Sequence, residues 1–498
     1  MSNSKQVTFV FIFILIFSFA LMVLALDTYP RIWFDEGYKA NAAYTMAERH
    51  VYGTYTADGF IPFDPGISSG PVDVLAAAIS FELFGVGVAQ ARLTSVCFTL
   101  IAVFSLYQIA AYLYGTRGGL FIILFILAFP AIGDTGLLLI GRQFLGEPAA
   151  LALISLGLWL WFRSWENGRW MLSTVAGVSI GLGLLSKLQV GIALLPAITL
   201  ICLARFWFLK PRTLREFIIL VGTLGMILLW TGLGRLMTPP DIAQQNSKML
   251  MDAIQTNLIT GLWGQQLTHT ALMVIGVLDV GVVIVLRKYY RQPRPAAWSS
   301  KNWAEAAITL FVLFSAIWFA LLSIGWPRYA YIALVFSLLI IGKWVWSWFA
   351  RLTSWRSYRI GLLALTNIAL VTNLAPVLQT YGDADAQKMA AYIQTHIPPE
   401  AMIETWEWEL DAISGHANMH HPDQTYLFQA IRQFSHDRQS FDLDYDLLQA
   451  DPDYLIAGPF SDWTGIYDPI ILSAQFTPVA EIGVYRLYQR NKAGQTLS

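Results

Sequence analysis

Charge is scarce in this chain. Of its 498 residues only 13% are Asp, Glu, Lys or Arg and 56% are hydrophobic, against roughly 25% charged residues in soluble domains. That shortage excludes an ordinary soluble globular protein. A net charge of -1 leaves no basic excess for nucleic acid. Cysteine is nearly absent too. Cys97 and Cys202 both fall in apolar runs, which excludes a disulfide scaffold and a thiolate metal site. No Asn-x-Ser/Thr sequence occurs, which points toward a prokaryotic source, and no internal repeat is visible. No Ala-x-Ala cleavage site follows the first apolar run, which continues into Asp27-Thr-Tyr-Pro30, so that run reads as a retained span and not a signal peptide.

What the chain does contain is a series of long apolar runs. About 18 apolar residues cross the hydrocarbon core of a bilayer. Candidate runs cover 7–26, 93–114, 118–133, 145–162, 171–186, 188–204, 217–234, 268–286, 306–325, 329–346 and 360–377. The expectation is a polytopic α-helical membrane protein of about eleven transmembrane helices in a cell (inner) membrane. With the amino terminus cytoplasmic, 17 Lys and Arg fall in cytoplasmic segments and nine between spans on the outside, in keeping with the positive-inside rule. An odd span count then puts the carboxy-terminal segment outside. Residues 1–377 form the membrane module. Within it, 27–92 is a first extracytoplasmic loop whose apolar stretch 72–84, interrupted by Asp73 and Glu82, suits a helix lying in the interface. Residues 378–498 carry 17 of the 33 acids and read as a small extracytoplasmic α/β domain, with a helix over 384–395, strands over 401–405 and 454–457, and a terminal strand pair around 478–489.

Ionisable groups at membrane depth are costly, and those of the outer half cluster. Asp35 and Glu36 lie shortly after the first span, Arg142 and Glu147 flank the start of the fourth, Lys187 sits in the turn between the fifth and sixth, and Arg328 opens the tenth. Singly, each has an ordinary explanation. Arg142 and Arg328 would serve as interface anchors, Glu147 with Pro148 as a helix start and Lys187 as a helix end. Together, three acids and three cations at one level suit transfer from a phosphate-linked donor. Such a transfer needs a carboxylate to take the acceptor's proton and cations to hold the leaving phosphate.

The Asp35-Glu36 pair, the stretch from Gly70-Pro71 to Phe84-Gly85 ending in Ala91-Arg92-Leu93, Gly141-Arg-Gln-Phe-Leu-Gly-Glu-Pro148, Leu185-Ser-Lys187 and Trp326-Pro-Arg-Tyr329 resemble the GT-C glycosyltransferases. Among these, the pattern is similar to the protein O-mannosyltransferases and the lipid A aminoarabinose transferases. The resemblance runs from about Thr8 to Val377. It implies a polyprenyl-phosphate sugar as donor, a glycan, lipid or protein as acceptor, and inversion at the anomeric carbon. It also implies Asp35 as catalytic base, Glu147 as helping to build the site, and Lys187 and Arg328 as holding the lipid phosphate; Glu36 beside Asp35 is a further catalytic candidate and Arg142 beside Glu147 a further candidate for shaping the acceptor side. Where aminoarabinose transferases carry Lys-Pro-Pro in the first loop, Ser69-Gly-Pro71 stands here, so the donor sugar stays open.

A transporter or flippase of lipid-linked sugar would also use midplane charges, but such proteins usually show repeats and broken helices in both halves. In the tail, Glu404-Thr-Trp-Glu-Trp-Glu409 offers either a sugar-facing surface or plain packing. His416 and His420 have the spacing of two metal ligands on one helix face, although Gly415, Asn418 and Pro422 oppose a helix there. No cofactor is required by this reading, and a divalent metal is an option at those histidines. Asp279, inside the eighth run, is expected to pair with a neighbouring helix. Topology is directly measurable. A reporter fused at the carboxy terminus should read outside and one in 287–301 should read cytoplasmic; the reverse pattern would overturn the orientation.

Overall fold

The computed structural model describes residues 3–63, 70–132, 135–209, 212–260, 268–289, 295–352, 355–379, 384–436 and 443–491. Ser69 and Gly133, named above, lie outside them. The chain opens with α1 (Asn3–Val23) and α2 (Phe34–Arg49), then a hairpin of β1 (Gly53–Thr56) and β2 (Gly59–Pro62), then α3 (Pro71–Phe84). The bundle continues with α4 (Val88–Tyr114), α5 (Thr116–Ala128), the single turn α6 (Leu137–Gly141), α7 (Gly146–Asn167), α8 (Trp170–Ser186), α9 (Gly191–Phe208), α10 (Ile218–Met237), the polar α11 (Pro240–Ala253), α12 (His269–Tyr289), α13 (Ser300–Leu321), α14 (Tyr331–Leu352) and α15 (Trp355–Gln379).

Each of the eleven apolar runs overlaps one helix of this bundle, although the run 118–133 outlasts α5, which ends at Ala128. Among the described residues eight helices are long and apolar enough to cross a membrane, and α5 and α8 are shorter apolar helices. At 1.5 Å per residue, the 13 residues of α5 span only about 20 Å, short of the roughly 30 Å hydrocarbon core. Nearly all of α5 is buried, packed among α4, α14 and α15, so protein and not lipid surrounds its ends. The turn α6 and the irregular residues Arg142 to Leu145 that follow are buried as well. Non-helical backbone is tolerated at such depth when protein encloses it.

The tail folds as α16 (Asp385–His396), β3 (Ile403–Thr405), α17 (Glu409–Ser414), β4 (Met419–His420), α18 (Gln424–His436), β5 (Tyr454–Ala457), α19 (Pro459–Thr464), α20 (Pro469–Gln475), β6 (Phe476–Ile482) and β7 (Tyr485–Arg490). Its sheet has the order β4-β3-β5-β7-β6, parallel across the first three strands and antiparallel beyond. The expected helix and strands of the tail are all present. The short β4 and the helices around it were not anticipated, because their apolar positions are too few to set a period.

Helix α2 joins the two parts. Phe34 stacks on Phe460 at 3.8 Å and Tyr38 meets the edge of Trp408 at 4.4 Å. Trp406 and Trp408 are buried in this contact, so the Trp-rich run is packing and not a sugar-facing surface. Gly37 permits the approach, since a Cβ there would lie 2.1 Å from the Glu409 backbone nitrogen. Substitution Gly37→Ala should therefore push α2 off the sheet domain and lower stability by about 1–3 kcal/mol. Thermal unfolding of the purified protein checks this, and an unchanged midpoint would refute the close packing.

Candidate active site

Asp35 and Glu36 occupy the first turn of α2, but consecutive helical side chains diverge by about 100°, and the structure gives them different surroundings. Glu36 is fully buried. Its carboxylate takes a two-pronged contact from Arg92 of α4, Nη2 to Oε1 at 2.6 Å and Nε to Oε2 at 2.8 Å, plus the Phe144 backbone N–H at 2.7 Å. Arg92 Nη1 also donates to the Leu26 carbonyl at 3.0 Å. This pair ties α2 to the ends of α1 and α4 and to the loop before α7. Asp35 remains partly open, its side chain 31% exposed, and pairs with Arg328 Nη2.

Arg328 links two acids. Its Nε also lies 3.3 Å from Glu147 Oε1, which Lys187 Nζ approaches to 2.8 Å. Glu147 stands in the first turn of α7, where the helix dipole favours a carboxylate. It is nearly inaccessible, and its Oε2 has no hydrogen-bond partner among the described residues. Lys187 caps α8. Gly146 makes this meeting possible, because a Cβ there would sit 2.0 Å from the Ser186 carbonyl oxygen. Aromatic rings flank the cations, with Arg328 5.9 Å from the centre of Trp33 and Lys187 5.5 Å from that of Tyr329. Asp35, Glu147, Lys187 and Arg328 thus form one connected cluster from four separate stretches of chain.

Two further charges belong to the same neighbourhood, Lys39, which the sequence did not single out, and Asp73, which it placed only as an interruption of the 72–84 stretch. Lys39, one turn along α2 from Asp35, pairs with Asp73 of α3 at 2.5 Å, and Asp73 is 1% exposed. The interface-helix expectation had no partner for Asp73. Its burial corrects that, and an acid inside an otherwise apolar stretch was the available signal.

Other candidates do not join the cluster. Arg142 donates to the Leu24 carbonyl at the end of α1 and faces the ring of Tyr29 at 4.9 Å, so it fastens α1 and is not seen among the converging charges. His416 and His420 share no helix face. His416 lies in the loop after α17 and donates from Nε2 to the Ala401 carbonyl at 2.8 Å, while His420 lies on β4 with Nδ1 2.5 Å from Glu404. Among the described residues no group of three or more His, Cys, Asp or Glu is arranged to hold a metal ion. Asp279 is exposed on the bundle's outer surface with no partner among the described residues, because its place on α12 faces away from α13 and α14. The expected helix pairing is not found.

With this geometry in view, known proteins are informative. Residues 68–241, roughly a third of the chain, match the family model described as dolichyl-phosphate-mannose-protein mannosyltransferase. The structure of ArnT from Cupriavidus metallidurans bound to undecaprenyl phosphate superimposes with a TM-score of 0.67, covering 99% of this chain and 100% of that one at 16% identity. The chain has the GT-C fold. The apo form of the same ArnT gives a TM-score of 0.52 at 15% identity over 98% of both chains. Archaeal oligosaccharyltransferase AglB from Archaeoglobus fulgidus, in complex with an inhibitory peptide and a dolichol-phosphate, gives 0.55 at 10% identity, covering 100% of this chain and 76% of that one. No curated protein matches by sequence. At this level of identity the likeness shows the fold alone, and that fold extends through the carboxy-terminal sheet domain; the chain's own apolar helices make it a multi-pass membrane protein.

The sheet domain of this GT-C fold holds buried acids of its own. Burial pushes the Glu404, Glu407 and Glu409 carboxyls above the usual range, and the neighbouring Glu407 charge adds to the rise at Glu409. For His420, burial opposes the charged ring, but the hydrogen bond and charge of Glu404, with Asp58 beyond, outweigh it and raise the ring's pKa. All four groups hold a proton more tightly folded than unfolded. Their contribution therefore favours folding below the ordinary carboxylate range, or below the ordinary imidazole value for His420, and is lost as pH rises through the raised values. Stability of the sheet domain should fall as pH rises above the ordinary carboxylate range, with a slope of about 1.4 kcal/mol per pH unit for each group protonated in the folded state alone. Glu409→Gln should flatten that dependence, as read from unfolding midpoints across the range; a steeper or rising profile would contradict these assignments.

Proposed function

We propose that this protein is a membrane glycosyltransferase that moves a sugar from a polyprenyl-phosphate carrier to an acceptor hydroxyl on the extracytoplasmic face, inverting the anomeric configuration. The observation that carries the reading is Arg328, which touches Asp35 on one side and Glu147 on the other, with Lys187 completing the group. The match to the mannosyltransferase model and the fold of ArnT, whose structure holds undecaprenyl phosphate, support the same donor class. In this reading residues 1–377 form the catalytic module, the amino terminus is cytoplasmic, and the site lies at the outer surface of a cell (inner) membrane.

The step is a single in-line displacement. The acceptor oxygen forms a bond to the anomeric carbon as the bond from that carbon to the phosphate oxygen breaks. The acceptor's proton passes to Asp35, and the bonding pair leaves with the lipid phosphate onto Arg328 and Lys187. A phosphate arriving between these cations competes with Asp35 for the Arg328 guanidinium. That competition releases Asp35 from the ion pair when the donor is in place, so its carboxylate is available to the acceptor hydroxyl. The phosphate is already an acidic leaving group, so no separate general acid is needed.

An assay of purified protein with radiolabelled polyprenyl-phosphate sugar and mixed membrane acceptors tests the reading. Asp35→Asn should lower turnover by about 10²- to 10⁴-fold while donor binding stays near normal. Lys187→Ala and Arg328→Ala should each weaken donor use by about 1.5–3 kcal/mol, with Arg328→Lys recovering only part because the planar fork is lost. Full turnover in Asp35→Asn would sink the mechanism. Glu36→Gln should behave differently, costing about 3–5 kcal/mol of stability by leaving Arg92 buried without its partner; normal unfolding of that variant would remove the structural role of the pair.

A further inference from the structure

Asp279 has no task in the site described above. It is the one acid of α12, a helix long and apolar enough to cross the membrane between His269 and Arg287. At 1.5 Å per residue it stands about 15 Å along the axis from His269 and about 12 Å from Arg287, near the middle of a hydrocarbon core roughly 30 Å thick. A side chain as short as that of Asp spans neither distance to reach the interface. Its neighbours one turn away on the same helix, Ile275, Gly276, Val282 and Val283, are all apolar, so α12 itself offers no counter-charge.

The two faces of α12 differ. Val274, Leu278 and Val282 are buried on the inner face, where the helix packs against α13, α14 and the Pro327–Ala330 turn that carries Arg328, and the Val277 carbonyl accepts from Ser337 Oγ at 2.8 Å. On the outer face Leu272, Gly276, Asp279, Val283 and Leu286 are exposed. They follow one another at steps of four and three residues, the spacing with which one helix packs along another. A Cβ added to Gly276, one turn from Asp279, would meet nothing within 4 Å, so a second backbone has room to come close beside the acid.

Charge decides what covers this face. Ionisable groups within spans pair with one another or face the bundle interior, because hydrocarbon supplies no counter-charge. The chain follows that rule elsewhere, with Arg205 2.8 Å from Glu216 and Lys343 2.7 Å from Glu305. Asp279 faces outward with no partner among the described residues. A second copy of the chain does not supply one, since its Arg205 and Lys343 are already engaged and a two-fold contact along α12 sets Asp279 against Asp279. We infer that the outer face of α12 receives a transmembrane helix of a different membrane protein, one that carries a Lys or Arg near its middle to pair with Asp279.

The test uses the full-length protein, labelled with a dye and reconstituted in phosphatidylcholine vesicles. The probe is a synthetic Leu/Ala transmembrane helix of about 23 residues with a quencher and one central Lys, and its reference is the same helix with Leu in place of that Lys. The Lys helix should bind the native protein about tenfold more tightly than the Leu helix. Asp279→Leu should erase the difference, and its thermal midpoint should equal or exceed that of the native protein, because the position faces lipid. Equal binding of the two helices by the native protein, or a preference that survives Asp279→Leu, overturns the inference. A lowered midpoint in Asp279→Leu overturns it by revealing a partner within the chain. Energy transfer between differently labelled copies of the native protein, lost in Asp279→Leu, overturns it in favour of a second copy.

Discussion

The Glu36–Arg92 pair is the constraint on which the rest of the site depends. Both side chains are removed from water, and the carboxylate is met by a guanidinium fork and a backbone N–H. A buried ion pair of this kind adds little net stability compared with apolar packing, yet breaking it strands a charge. Its effect is therefore to specify geometry. The pair holds the start of α2 against α4 and the Phe144 loop, and in doing so turns the next-door Asp35 toward Arg328.

The sheet domain acts on the same helix from the other side. Phe34 and Tyr38 insert among Phe460, Trp406 and Trp408, and Gly37 lets the backbones close. Helix α2 is thus clamped between membrane helices and sheet, with Asp35 at one end. A site held on a rigid helix keeps its charges in register better than one on a free loop. Glu407 adds to the clamp by accepting from the Phe460 and Ser461 backbone nitrogens at 3.2 and 2.9 Å.

Charges in this protein divide by what they meet. Arg142 and Glu36 are spent on backbone and on each other's neighbours, as struts. Asp35, Glu147, Lys187 and Arg328 share one another, and Glu147 keeps an oxygen without a hydrogen-bond partner among the described residues. All are ionisable groups in the same region of the bundle, so depth alone does not distinguish support from site. The separation comes from side-chain direction.

The apolar runs by themselves determined the helices. Each of the eleven overlaps its helix because burying or spanning demands a long stretch without charge, and that property is local. Asp35, Glu147, Lys187 and Arg328 were likewise visible one by one, since charge is rare enough here for each to stand out. Their roles required the fold. Asp35 and Glu36 are adjacent in sequence, and only the turn of α2 gives one to Arg328 and the other to Arg92. The pairing of Lys39 with Asp73 passed unnoticed because it spans a loop and two helices. His416 and His420 matched a helical ligand spacing, but β4 places one on a strand and the other in a loop, and Asp279 met no helix because its face of α12 points outward. Period and composition are set by neighbours along the chain, whereas which charge meets which is set by packing between segments hundreds of residues apart, as the 293 residues separating Asp35 from Arg328 make plain.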